Sequence, residues 1–417
     1  MSIGYACLAV GVPDTEIKGC LLKNAGEEKL AELIRHNLAS LKNIVAYNDE
    51  NGIRLFRISS DIIPFGSGPI RPLPWAELFR EELAAVGESI EKAGIRVSMH
   101  PGQYTVLNSP EKQVAKRAVE DLRYHAAFLD SLGVGSSCKI VLHVGGVYGD
   151  KKAAVQRFSE RYRDLDESIR RRLVLENDDR SYHIGDVLEL GARLGIPVVY
   201  DNLHNNVNGC DPSKNDAFWI SQCAPSWGEK DGRQKVHYSQ QAPGKSAGSH
   251  SGSIIIDEFM DFFASLGGDR PDIMLEVKDK NLSAVKCINC TAQQGTIGAL
   301  ELEWGKYKYA VLEQAPGDYQ KIRELLKEKS SYPALTFYHL IEHAYAQEII
   351  PGNAVNAALH IWGYFKNLAA EGEKKRFFAL LQDYEENGLS AERIKRFLSG
   401  LTKKYRQEYL LHSYYFL

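Results

Sequence analysis

Six consecutive β-branched runs in the middle of this chain carry a histidine, aspartate or glutamate at their ends. They are Ser98-Met-His100, Leu142-His143, Leu175-Glu176-Asn177-Asp178-Asp179, Tyr200-Asp201-Asn-Leu-His204, Lys235-Val-His237 and Glu276-Val-Lys278. A single histidine at a strand end is more often a hydrogen-bonded packing residue than a ligand. Six such ends in succession are hard to assign to packing. Carboxylates gathered that closely repel and raise one another's pKa unless a cation sits among them. Neutral imidazoles mixed with carboxylates suit zinc or manganese, and seven or more candidate ligands suit two or three ions.

Two further features belong to the same region. Lys235 and His237 are two residues apart on a strand and so point to the same, inward side. An ammonium facing a metal cluster is electrostatically wrong, so Lys235 is expected to be neutral, paired with a carboxylate, or converted to a carbamate. Glu276 and Lys278 share that spacing, which makes Lys278 a candidate neighbouring cation. After His100 comes Pro-Gly-Gln103-Tyr104-Thr-Val-Leu-Asn-Ser-Pro110, a turn-forming segment with an amide and an aromatic ring at its tip. A buried tyrosine with a satisfied amide is one reading of it. Its place above a ligand makes it a candidate substrate clamp instead, because an aromatic ring stacks on a base or fills the gap left by one.

These groups need a frame that brings strand ends together. Apolar runs recur at 3–10, 53–59, 95–100, 139–144, 172–177, 196–201, 234–239 and 272–278, with helical periodicity between them at 27–47, 75–93, 112–132, 153–171, 184–194 and 254–266. Eight strand–helix units predict a closed α/β barrel of the TIM type, with catalytic groups at the C-terminal ends of its strands. An open doubly wound sheet is disfavoured, since no Gly-x-Gly-x-x-Gly follows the first strand. Residues 228–253 are rich in Gly, Ser, Lys and Gln and predict a long loop around the seventh strand, on the working face. Beyond residue 300 the pattern turns helical, at 318–329, 333–346, 353–369, 374–385 and 391–404, with Pro351-Gly352 and Glu386-Asn387-Gly388 as punctuation. The expected division is a barrel over 1–298 and a separate all-helical domain over 299–417.

Composition narrows the class. Hydrophobic residues make up 44% and charged residues 25% of 417, values that allow a large buried core. A net charge of −3 gives no whole-chain case for nucleic-acid binding, so any such contact must be local or metal-mediated. No run of about 18 apolar residues exists and the N-terminus lacks a signal pattern, which predicts a cytoplasmic protein and no membrane partner. Seven scattered cysteines do not form a disulfide framework. Cys287-Ile-Asn-Cys290 reads as two reduced thiols on one helix; a zinc or redox role would need partners, for which Cys210 and Cys223 are the candidates.

The strings Met99-His-Pro-Gly-Gln-Tyr, Leu142-His-Val-Gly-Gly, Leu175-Glu-Asn-Asp-Asp, Asp201-Asn-Leu-His, Lys235-Val-His, Ser249-His250-Ser and Leu275-Glu-Val-Lys, with the upstream Arg57-Ile-Ser-Ser-Asp-Ile-Ile-Pro-Phe, closely resemble the UV-damage endonuclease family. The resemblance runs in order through most of residues 1–280. It implies a barrel related to the type IV abasic-site endonucleases and a cluster of divalent ions, usually manganese, with zinc or magnesium as alternatives. By this resemblance His100, His143, Glu176, Asp201, His204, His237, His250 and Glu276 are metal ligands, and Lys235 aligns with a lysine that can be carboxylated. Gln103 and Tyr104 align with the pair that probes the damaged duplex, and Tyr5 with a lesion-pocket tyrosine. Glu176, Glu276 and Lys235 are the implied catalytic groups. Departures fall at Ser67-Gly68-Pro69, where some members carry a histidine, at Ala9 in place of an asparagine, and in a longer segment over 206–231. The C-terminal strings His360-Ile-Trp-Gly-Tyr-Phe-Lys and Tyr409-Leu-Leu-His-Ser-Tyr-Tyr-Phe resemble an uncharacterised helical domain of the YbgA type, which supplies no chemistry. Trp362, Tyr364 and Tyr414 to Phe416 are read as its core aromatics.

The resemblance therefore predicts a DNA repair endonuclease that hydrolyses the phosphodiester 5′ to UV photoproducts in damaged double-stranded DNA, with abasic sites as a second substrate. The helical domain is left for a partner of unknown kind. Two rivals remain. A sugar isomerase on the same barrel would use a closed pocket and no Gln103-Tyr104, and a non-catalytic protein would keep the ions for folding alone.

Overall fold

The computed structural model describes residues 1–68, 73–388 and 390–417, so Pro69 of the Ser67-Gly68-Pro69 departure lies outside the described residues. The chain divides into two compact units, one of residues 1–9 and 14–285, the other of 10–13 and 286–417. The division falls inside the helix Asn281–Thr291. Among the described residues no helix is long and apolar enough to cross a membrane.

The first unit is a closed barrel of eight parallel strands in sequential order: β1 (Ile3–Cys7), β2 (Leu55–Ile58), β3 (Arg96–Met99), β4 (Lys139–His143), β5 (Leu173–Glu176), β6 (Val198–Asp201), β7 (Lys235–Tyr238) and β8 (Asp272–Leu275). All eight expected strands form, each shorter than its apolar run. The runs at 75–93 and 153–171 each break into two helices, Trp75–Leu78 with Arg80–Lys92, and Lys151–Arg163 with Glu167–Arg170. Val, Ile and Leu dominate the strands because both faces are buried, against the barrel interior on one side and the helices on the other.

Strand alternation decides which side chains reach the mouth of the barrel. Val141, Val174 and Val199 form one interior cluster, and Ala6, Leu55 and Met274 another. Two residues further along, on the same side, stand His143, Glu176 and Asp201 above the valines, Arg57 above Leu55 and, one residue past the end of β8 where its amide still bonds to the Tyr238 carbonyl, Glu276 above Met274. Register keeps them level: His143 is opposite Glu176, and Asp201 is opposite His237. The barrel closes where β8 pairs with β1, and β1 approaches β2 closely at Gly4, where a Cβ would lie 1.8 Å from the Leu55 carbonyl oxygen. On the outside, the helix Ile184–Leu194 is held by a reciprocal cap between His183 and Asp186 and ends at Gly195 with φ of 68°.

The second unit is helical, its long helices being Ile297–Gln314, Pro316–Leu325, Ala334–Tyr345, Pro351–Trp362, Glu371–Asn387 and Ala391–Lys404. Its core places Trp362 flat on Phe377, with centroids 4.5 Å apart, among Phe365, Leu398 and Tyr415. Tyr364 and Phe416 pack against that core, so the C-terminal aromatics are core residues, as expected. The helix Ile297–Gln314 was not among the expected elements.

Candidate metal centre

Most candidate ligands sit at or just past the end of a strand, with His237 one residue inside the end of β7. His100 follows the last residue of β3, His143 ends β4, Glu176 ends β5, Asp201 ends β6 and Glu276 follows β8. His204 lies in the short helix Asn202–Val207, whose N-terminus is capped by the Asp201 carboxylate accepting from the His204 amide at 2.7 Å. Two buried amides hold these ends where the sheet ladder runs out. Asn177 donates to the Asp201 carbonyl and accepts from its amide, at 3.0 and 2.9 Å, and Asn202 does the same for Ser239 across β6 and β7. Side-chain amides here replace backbone pairing and fix the spacing of three neighbouring strand ends.

Glu176 is the hub and is fully buried. Its Oε2 lies 2.9 Å from His100 Nε2 and 3.4 Å from His143 Nε2, and its Oε1 lies 2.6 Å from His237 Nδ1 and 4.0 Å from His204 Nδ1. Three sets of groups have their ligand atoms within 4.8 Å of one another: His100, His143 and Glu176; Glu176, Asp201 and His204; Glu176, His237 and Glu276. Seven of the eight expected ligands are thus brought together. His250, on the loop after β7, stands 3.7 Å from Glu276 Oε2 and completes the rim without joining those sets.

The charges explain why such a cluster needs a cation. Burial alone would raise Glu176, but the charges of His237 and His143 and the hydrogen bonds of His100 and His237 hold it well below the usual carboxylate range. Glu276 is likewise held low against burial, chiefly by Arg57 and then His237. Asp201 goes the other way: burial raises it, and although His204 opposes, Glu176 and Glu276 add to the rise. Burial works against a charge on His204, yet Asp201, Glu176 and Glu276 outweigh it and push its pKa up to about 9. The imidazoles of His204 and His237 are thus the ones favoured to carry positive charge among these carboxylates, whereas burial lowers the pKa of His143.

The donor set fits divalent cations in that role. His100 Nδ1 faces the Pro101 carbonyl at 3.1 Å and His204 Nδ1 the Asn177 carbonyl at 2.9 Å. A carbonyl at Nδ1 fixes the proton there and leaves Nε2 as the ligating atom, the usual outer-sphere arrangement of metal-binding histidines. For His100 that lone pair then faces Glu176 Oε2, two acceptors that need a proton or a cation between them. Asp201 Oδ2, His143 Nδ1 and His237 Nε2 are buried without a hydrogen-bond partner among the described residues. Each such orphan costs roughly 1–3 kcal/mol, and a bound ion relieves the cost at a carboxylate oxygen directly.

Lys235 lies on the interior side of β7 with His237, 1% exposed, and makes no ion pair within 4.0 Å among the described residues. Burial, reinforced by Arg96 and Arg57, lowers its pKa to about 7, so the amine is readily neutral. Of the three states expected for it, pairing with a carboxylate is the one the geometry does not provide. Gln103 and Tyr104 sit on the turn after His100, both exposed, with Tyr104 83% accessible. Tyr104 is therefore a surface ring on that turn and not a core tyrosine.

Two expectations are corrected. Tyr5 does not line a pocket: it alternates with Ala6, faces the helix layer with no exposed surface, and its hydroxyl donates to Asn48 Oδ1 at 2.9 Å while its ring meets Phe56 edge-on. Lys278 is not the cation beside Glu276. β8 ends at Leu275, so strand alternation no longer governs residue 278, and the partner is Arg57 from β2, whose Nη1 donates to Glu276 Oε1. Arg57 had no role assigned to it in the sequence reading. The signal that could have found it is parity: Leu55 and Arg57 alternate with buried apolar residues, and an interior arginine requires an anion. The cysteine pair is on the helix Asn281–Thr291, and the sets of described residues able to hold a metal contain no cysteine.

Comparison with known proteins agrees with this geometry. Residues 2–304 match the family described as UV-endonuclease UvdE, and residues 308–417 match a protein family of unknown function, DUF1722. The chain is 46% identical over 290 residues to a UV DNA damage endonuclease of Clostridium perfringens (strain 13 / Type A), covering 69% of this chain and 70% of the relative. It is 31% identical over 271 residues to a UV DNA damage endonuclease of Bacillus cereus (strain G9842), covering 64% and 85%. The crystal structure of SacUVDE superposes with a TM-score of 0.66 at 36% identity, covering 70% of this chain and 97% of that one. With the barrel, the strand-end cluster and the match over 2–304 all falling on the same residues, the chain belongs to the UV-endonuclease UvdE family.

Proposed function

We propose that this nuclease is a DNA repair endonuclease that hydrolyses the phosphodiester 5′ to UV photoproducts, with abasic sites as a second lesion class and the cytoplasm as its location. The observation that carries the reading is Glu176, a single buried carboxylate common to three potential ligand sets. Two or three divalent ions, manganese foremost, with zinc or magnesium as alternatives, would be held by His100, His143, Glu176, Asp201, His204, His237, His250 and Glu276. Bound there, such ions supply Lewis acidity and a hydroxide nucleophile at neutral pH.

The chain's own residues do the rest. Glu176 orients four imidazoles about one point, and Glu276, locked by Arg57, closes the opposite side. Lys235 is buried and readily neutral, which suits either an uncharged amine or a carbamate formed on it. Gln103 and Tyr104 enter the duplex where pairing is already weakened, because the cost of extruding a nucleotide is lowest there. The exposed Lys245, on the loop after β7, contacts the DNA backbone, a positioning contact without sequence information. We keep the limits 1–298 and 299–417 as the proposed functional domains.

The test is incision of UV-irradiated, abasic and undamaged duplexes with and without manganese, beside Glu176→Gln. Manganese-dependent incision 5′ to photoproducts, lost in the variant, is the expected result. Incision at abasic sites alone would overturn the photoproduct assignment. No incision of any duplex by metal-loaded protein would overturn the repair reading and turn attention to small sugars. Undiminished DNA binding with no turnover in either metal state would favour a purely structural cluster.

A further inference from the structure

In the helical unit, Glu371–Asn387 and Ala391–Lys404 border a groove of about 430 Å³ whose charged lining is mostly positive. Arg376, Arg393, Arg396 and Lys404 face it, all exposed, against one carboxylate, Glu373. Glu373 is already engaged, 2.6 Å from Lys404 Nζ. Arg376, Arg393 and Arg396 make no ion pair within 4.0 Å among the described residues, so three arginines line the groove without an ion-pair partner. Arg376 is steadied by the Phe397 ring, 5.3 Å from its guanidinium carbon. Like charges on one groove repel, and arginine is the side chain whose planar fork matches phosphate oxygens.

A second observation points the same way. Gly400 lies inside the helix Ala391–Lys404 and on the wall of the groove. Its φ is not positive, and a Cβ placed on it would meet nothing within 4 Å. Neither backbone conformation nor packing requires glycine there, although glycine disfavours a helix interior relative to alanine. What it leaves is bare backbone beside the unpaired arginines, the arrangement that lets a second backbone approach closely.

We propose that this groove holds the phosphate backbone of duplex DNA, giving the helical unit a lesion-independent DNA-binding role; the choice of DNA as occupant rests on the repair reading above. The contact reads charge, not sequence, and adds affinity for undamaged and damaged duplex alike.

The experiment uses the full chain, the double variant Arg393→Gln/Arg396→Gln, and Gly400→Gln, with a fluorescent undamaged duplex titrated by anisotropy at several salt concentrations. Loss of two phosphate contacts should lower the slope of log affinity against log salt by about 1.8, so the wild-type advantage shrinks about tenfold between 50 and 200 mM salt. Gly400→Gln should weaken binding severalfold while melting no lower than wild type, an outcome a merely structural glycine would not give. Incision of a UV-damaged duplex at saturating enzyme should be unchanged in both variants. Wild-type affinity and salt slope in the variants, with incision intact, would overturn the groove while leaving the repair reading standing. Absence of both incision and binding in the wild type would overturn both. Tighter, variant-sensitive binding of an RNA of the same length would overturn DNA as the occupant.

Discussion

Arg57→Met is the change whose cost can be worked out most directly. The guanidinium and the Glu276 carboxylate are 13% and 9% exposed and bonded to each other, so the substitution leaves a buried carboxylate without its main counter-charge. Removing one partner of such a pair costs about 3–5 kcal/mol, whereas replacing both is close to neutral. In metal-stripped protein we expect Arg57→Met to lower the barrel's stability by that amount, a fall in Tm toward the low end of roughly 6–20 °C. Arg57→Met/Glu276→Gln should recover most of it, with a coupling energy of at least about 2 kcal/mol. Hydrogen exchange of the β2 and β8 amides is the readout, because a chain of two compact units need not unfold in one step.

The pH dependence has a definite sign. Arg57 and His237 hold Glu276 below its ordinary value of 4.5, so the pair's contribution is complete above that value and is lost as pH falls through the depressed folded one. The penalty of Arg57→Met should therefore vanish in acid. It should grow in alkali, because His237 Nδ1, 3.1 Å from Glu276 Oε1, is the other cation on that oxygen and loses its proton as pH rises. Saturating manganese should shrink the penalty by restoring positive charge. A penalty below about 1 kcal/mol that ignores both pH and metal, or a strictly additive cycle, would refute the assignment of Arg57 as the residue that keeps Glu276 ionised.

The other expectations concern protons and the probe loop. His204, raised to about 9, must give up its proton to act as a ligand, so its stabilising charge is present at neutral pH and fades as pH rises through about 9. Metal binding near pH 7 should release about one proton from this residue alone, read as a binding enthalpy that tracks the ionisation enthalpy of the buffer, and buffer-independent enthalpy would contradict it. Tyr104→Ala removes an 83% exposed ring, so it should change stability by less than about 0.5 kcal/mol. It should weaken binding to a lesion-containing duplex by about 1–3 kcal/mol, roughly fivefold to 150-fold, and leave undamaged duplex unaffected. Equal losses on both duplexes would make Tyr104 a general contact.

How much of this was legible in the sequence follows from the range over which each determinant acts. The eight strands were visible because parallel strands buried on both faces read as unbroken apolar runs, and most ligands were visible because they stand at or near the ends of those runs, whereas His250, on a loop, was named only through the family resemblance. The helix Ile297–Gln314 was missed for a related reason. Tyr309, Ala310, Val311, Leu312 and Glu313 are all buried in succession while the apolar Leu302 is 74% exposed, so burial surrounds the last turns and the helix shows no single apolar stripe for periodicity to find.

Resemblance misled at Tyr5, and strand parity at Lys278. Tyr5 lies in a conspicuous string, but being in a strand says nothing about which face a residue takes, and Ala6 holds the interior position beside it. Lys278 seemed the natural partner of Glu276 because i and i+2 share a face, an inference valid only while the strand continues, and β8 stops at Leu275. The true partner comes from 219 positions away, through the pairing of β2 and β8 with β1 that closes the barrel. A buried carboxylate will take whichever cation the closed fold delivers, and here closure delivers Arg57. Local spacing can therefore nominate ligands, since these need only share a strand end, but it cannot nominate the counter-charge that holds them, which is set by closure of the whole barrel.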